Sequence, residues 1–143
     1  MVLPLEAVAD AIMHYEGWAP GSVSNRNRNP GNLRESPLTK SEDPGGFCVF
    51  TDLPTGYHAL LHDLECKFSG QSRHELGPRS TLLDLFNVYA PSADHNVPAK
   101  YADFVAQWIS HALHKSFSMH SKLGDIMAIA DPELPVILPD LGA

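Results

Sequence analysis

The sequence predicts a mainly α-helical domain with one small β element beside its first helix. Three observations lead there. Apolar residues recur at spacings of three and four in several windows, as amphipathic helices require. Only one run, Phe47-Cys-Val-Phe-Thr51, reads strongly as a strand. Between the first helical window and that run, residues 18–46 show no period and are rich in Pro and Gly. A compact domain keeps so long a loop when the loop carries function. The chain has 143 residues, 43% hydrophobic and 19% charged, enough to bury its own core and too apolar to be disordered.

In chain order, Leu5, Val8, Ile12 and Tyr15 form the stripe of a helix over Leu5 to Tyr15. Pro4 suits its first turn, Glu6 its positive end, and Gly17 its stop. The loop and the strand candidate follow. Thr55 is expected to cap a helix from Gly56 to Phe68, striped by Tyr57, Leu60, Leu61, Leu64 and Phe68 and ended by Gly70. Ser80 or Thr81 caps the next, Leu82 to Tyr89, which stops before Pro91. Asn96 is the expected cap of a longer helix with Pro98 in its first turn. Its stripe of Tyr101, Phe104, Val105, Trp108, Ile109 and Ala112 is the best in the chain. A weaker helix is expected over Lys122 to Ala130, and residues 131–143 read as an extended, Pro-bounded tail. With no internal repeat and no linker, residues 1–143 read as a single domain.

Charge and cysteine content exclude several classes. Ten Lys and Arg stand against seventeen Asp and Glu, a net charge of −7, which disfavours binding to nucleic acid. No apolar run is long enough to insert in a membrane. Met1 to Glu6 carries no Lys or Arg, a poor secretory signal. Cys48 and Cys66 can form at most one bridge and are expected as free thiols. His58 and His62, and His111 and His114, have helical spacings that can bind metal, but Ala59 stands where a zinc-protease motif places its Glu. No metal and no cofactor is expected.

Glu16 is the strongest candidate for chemistry. It ends an apolar helix, between Tyr15 and Gly17-Trp18, with the long loop directly after it. A carboxyl beside aromatic rings is poorly solvated, and poor solvation favours the protonated form that a general acid needs. In the loop, Asn25-Arg-Asn-Arg-Asn29-Pro-Gly-Asn-Leu-Arg34 concentrates donors and acceptors that suit sugar hydroxyls and N-acetyl amides. Pro30 and Gly31 make a tight turn that could aim Asn29 and Asn32. A purely structural Asx-rich turn is the alternative. Asp52 closes the strand candidate and could supply a second carboxylate, as could Glu35, Glu42 or Asp43.

Taken in order, the helix ending in Glu16-Gly17, Asn29-Pro-Gly-Asn-Leu33, Phe47-Cys-Val-Phe-Thr-Asp-Leu-Pro-Thr-Gly56, Tyr89-Ala-Pro91, Asn96 and Tyr101 resemble the lysozyme-like domains of phages and bacteria. The branch is the one close to soluble lytic transglycosylases, and the resemblance spans roughly residues 5–112. It implies an α+β lysozyme-like fold with a groove that grips a peptidoglycan strand, and a monomer that needs no cofactor. Glu16 maps onto the catalytic Glu; Asn29, Asn32, Phe50, Tyr89 and Tyr101 map onto residues lining the saccharide groove. The chain departs from the pattern in three places. Gly17 replaces the Ser that usually follows the Glu. The positions of the phage-type lysozyme's Asp and Thr hold Asn25 and Gly31. Asp94-His95 stands where a Glu usually precedes Asn96. The implied activity is cleavage of the β-1,4 bond between N-acetylmuramic acid and N-acetylglucosamine, by transglycosylation or by hydrolysis with a second carboxylate. A non-catalytic virion or envelope module is the alternative from another class. Without a signal peptide, the protein is expected to reach the cell wall through a holin or in a phage particle.

Overall fold

The fold is a computed structural model that describes residues 3–72, 74–90 and 96–128. The helices are α1 (Pro4–Tyr15), α2 (Val23–Arg26), α3 (Leu53–Ser69), α4 (Leu82–Tyr89), α5 (Pro98–Leu113) and α6 (Leu123–Met127). Mainly helical architecture is thus established. The expected strand is not: among the described residues β pairing is limited to two isolated antiparallel bridges, Glu42 with Cys48 and Thr81 with Lys122. The backbone N–H groups of Cys48, Val49 and Phe50 donate to Leu33, Ser41 and Asn27 respectively. On one side Cys48 and Phe50 bond two separate turns of the loop; on the other, the Val49 N–H to Ser41 and the Asp43 N–H to Phe47 make a single bridge, so the pairing does not extend into a ladder.

Helix ends show where local chemistry outweighs pattern. Asp52, not Thr55, caps α3: its Oδ1 accepts the Thr55 N–H at 2.8 Å, and Pro54 occupies the first turn. α5 starts at Pro98 after Val97, with no side-chain cap from Asn96. Thr81 and Asp84 form a reciprocal capping box on α4. α6 ends at Met127, and the expected extension through Ala130 and the tail 131–143 lie outside the described residues. α2 was hidden in the predicted loop, because four residues are too few to display a helical period.

α5 lies against α1 and α4, and α3 packs across α1. Their stripes meet in one core that buries Val8, Ile12, Leu60, Leu64, Leu85, Phe86, Val105 and Ile109. Burying a Leu or Ile fully contributes about 1.5–3 kcal/mol, so these stripes hold the helices together. Tyr57 on α3 donates its hydroxyl to Asp10 on α1 at 2.8 Å. Burial first, and the Asp10 partner second, push its phenol upward. A second, smaller core of Leu33, Cys48, Phe50 and Ala59 lies under the loop. Ala59 belongs to α3, so that helix is shared by both cores. Among the described residues no helix is long and apolar enough to cross a membrane.

Candidate active site

Glu16 is the first residue beyond α1. Its N–H still bonds the Ile12 carbonyl, and Gly17 then turns the chain with φ +76°, a conformation that glycine adopts without strain. The helix therefore ends with the Glu16 side chain at the mouth of the loop. Both its oxygens are held. Asn32 Nδ2 donates to Oε1 at 3.0 Å, and the Tyr101 hydroxyl donates to Oε2 at 2.7 Å. One donor comes from the loop and the other from α5, so two independent parts of the fold fix one carboxyl.

Tyr101 is fully buried, stacked between Tyr15 at 3.9 Å and Phe86 at 4.3 Å between ring centroids. Burial pushes its phenol well above the ordinary value, and the charges of Tyr89 and Glu16 add to the effect. It therefore stays protonated and remains a donor through the neutral range.

Asn32 owes its aim to Asn29. Asn29 is completely buried; its Oδ1 accepts the Leu33 N–H, and its Nδ2 donates to the carbonyls of Leu33 and Cys48, at 2.9, 2.9 and 3.0 Å. The Asn29 carbonyl then accepts from the Asn32 N–H, which closes the turn, and Asn32 takes φ +47°. With Nδ2 given to Glu16, Asn32 Oδ1 is left buried without a donor. Gly31 fits because its neighbours leave no space: a β-carbon would lie 2.5 Å from the Tyr89 hydroxyl and 2.7 Å from Leu60 Cδ1. That hydroxyl donates to the Gly31 carbonyl at 2.6 Å. Burial raises the Tyr89 phenol well above its ordinary value, with Glu16 and Asp63 contributing.

Glu16, Asn32 and Tyr89 share the wall of a cleft of about 800 Å³. From α3, Asp63 and Lys67 line the same cleft. Lys67 is buried and donates to both Asp63 oxygens at 2.6 Å. Its ammonium also lies 5.5 Å from the Tyr89 ring centroid, within cation–π range. A second hollow along α5 has a mainly apolar surface, from Tyr15, Phe104, Trp108 and Ala112, but is also lined by Lys100, Asp103, Gln107 and His111.

The expected site residues therefore separate. Glu16, Asn32 and Tyr89 come together at the cleft. Tyr101 touches Glu16 from beneath and is too buried to line a groove. Asn29, with every amide group used inside the turn, is scaffold rather than a sugar contact. Phe50, 1% exposed, belongs to the small core. Asp52 is bound to the start of α3 and is not among the residues lining the cleft, so it does not supply the second carboxylate there. Its hydrogen bonds to Thr55 hold its carboxyl below the usual range. Asp63 and Lys67 were missed. Their signal was present as an acid four residues before a base on a helix, but that pattern more often marks a solvated surface pair. Among the described residues no cluster of three or more His, Cys, Asp or Glu could hold a metal ion. Cys48 is a buried free thiol and Cys66 a half-buried one.

No family model matches this chain, and no curated protein or solved structure matches it either.

Proposed function

We propose that the protein cleaves the β-1,4 bond between N-acetylmuramic acid and N-acetylglucosamine in peptidoglycan, by the lytic transglycosylase route. The observation that carries the reading is a single carboxyl, Glu16, held at a cleft by two fixed donors on unrelated elements. Protonated Glu16 gives its proton to the glycosidic oxygen as the bond to the muramyl C1 breaks. The carboxylate then takes the proton of the muramyl C6 hydroxyl, whose oxygen closes on C1 to give a 1,6-anhydro ring. The same oxygen pair serves as acid and as base, so fixed orientation matters more than a second acid. Asn32 and Tyr101 supply that orientation. No cofactor enters these steps.

Two of the neighbouring carboxylates are already engaged, which supports this route over hydrolysis. Asp52 caps a helix, and Asp63 is neutralised by Lys67. A hydrolytic variant would draw on Glu35, the loop carboxylate that lines the same cleft. The test is digestion of purified cell walls with mass spectrometry of the products. Anhydro-muropeptides are expected, lost in Glu16→Gln and retained in Asp52→Asn. Reducing ends that disappear in Glu35→Gln would indicate hydrolysis. An active Glu16→Gln would remove Glu16 from the chemistry altogether.

A further inference from the structure

We propose that Cys66 is a reactive thiol, assisted by His62, at which a small-molecule disulfide attaches and obstructs the Glu16 cleft. Cys66 Sγ and His62 Nε2 lie 3.8 Å apart, one turn of α3 from each other. A sulfur nucleophile within hydrogen-bond reach of an imidazole is the arrangement by which proteins activate a thiol. Both residues line the cleft that holds Glu16, Asn32 and Tyr89. Cys66 is half-buried and His62 exposed, so a small reagent can reach the pair from the cleft. Cys48 is the internal contrast. It is 2% exposed in the small core, and burial pushes its thiol upward, with the charge of Glu42 adding to the shift.

The step is a disulfide exchange. His62 Nε2 takes the Sγ proton, and Sγ attacks one sulfur of the disulfide. The sulfur–sulfur bond breaks, the other half leaves as a thiolate, and His62 passes its proton to solvent or to that thiolate, according to which is the stronger base. One disulfide is consumed and one formed, so no further oxidant is needed. The group left on Cys66 projects into the cleft. The reactivity stands on the pair alone; its consequence for cleavage rests on the proposed function.

The test uses dithiobis(nitrobenzoate) on the folded protein. One thiol should react rapidly, mapped to Cys66 by mass spectrometry of the peptides and absent in Cys66→Ser. The second should react only after unfolding. An unassisted thiol of ordinary acidity is about 3% ionised at pH 7, so a base can accelerate exchange at most roughly 30-fold. His62→Ala should therefore slow the reaction by between roughly 3- and 30-fold. In the mixed disulfide, the amide resonances of Asn32 and Ala90 at the cleft should shift and return on reduction, while that of Phe104 stays in place. A rapid thiol that persists in Cys66→Ser overturns the proposal. So does a His62→Ala rate within about twofold of the parent, or unmoved cleft resonances. Cell-wall cleavage that continues unchanged in the mixed disulfide overturns the obstruction. If the resonances shift but neither form cleaves cell walls, the enzymatic reading fails and the thiol site stands.

Discussion

Tyr101 shows how one side chain joins the core to the carboxyl at the cleft. Its ring is part of the helical core, between Tyr15 and Phe86, and its hydroxyl ends on Glu16. Tyr101→Phe keeps the stack and removes only that hydrogen bond. A hydrogen bond to a charged group is worth about 1.5–3 kcal/mol, so under the proposed function cell-wall cleavage should fall roughly 10- to 150-fold with folding preserved. Unchanged turnover in a folded variant would show that Tyr101 does not position the acid. At this scale the sequence was informative about Glu16, because a carboxyl at the end of an apolar stripe is conspicuous. It could not separate Asn29 from Asn32. Both sit on one turn three residues apart and carry the same side chain. Only the folded backbone assigns one inward to Leu33 and Cys48 and the other to Glu16.

The elements divide into those visible as periods and those built by exchange of single hydrogen bonds. α1, α3, α4 and α5 were legible because each buries a stripe, and the stripe is written in the sequence. The loop from residue 17 to residue 52 has no such record. It is held by side-chain caps and by bonds between segments, of which Asp43 is the centre. Asp43 Oδ2 accepts from Asn27 at 2.9 Å, and Oδ1 accepts the N–H groups of Gly45 and Phe47 at 2.9 Å each. The Asn27 bond first, then the Phe47 N–H, hold its carboxyl below the ordinary value of 3.8. A folded value below the unfolded one means stability that is complete above the unfolded value. It is lost as pH falls through the folded value. Asp43→Asn should therefore melt earlier than the parent at neutral pH, and the two melting curves should converge as pH falls below 3.8. A gap that widened in acid would reverse the sign and remove Asp43 as the anchor of the loop.

Across the whole molecule, the site lies where two cores meet. Glu16 follows α1 and accepts from Tyr101, which is buried in the helical core; Asn32 directly precedes Leu33 of the small core; and α3, which serves both cores, lines the cleft. The larger core is continuous, while the smaller is four residues with Tyr89 against them. Units of such unequal size are expected to open separately. Phe50 tests this, since it is the largest side chain of the small core and 1% exposed. Truncating a buried Phe costs about 3–5 kcal/mol, so Phe50→Ala should consume most of the local stability of the loop. Native-state hydrogen exchange should then show the amides of Cys48 and Phe50, which bond Leu33 and Asn27, losing protection. Those of Val105 and Ile109 in α5 should keep theirs. Cleavage should fall together with loop protection, because Asn32 would no longer be aimed at Glu16. Loss of protection in α5 to the same degree would show that the two cores form one cooperative unit. A stable Phe50→Ala that bound glycan weakly would instead return Phe50 to the groove that the resemblance implies.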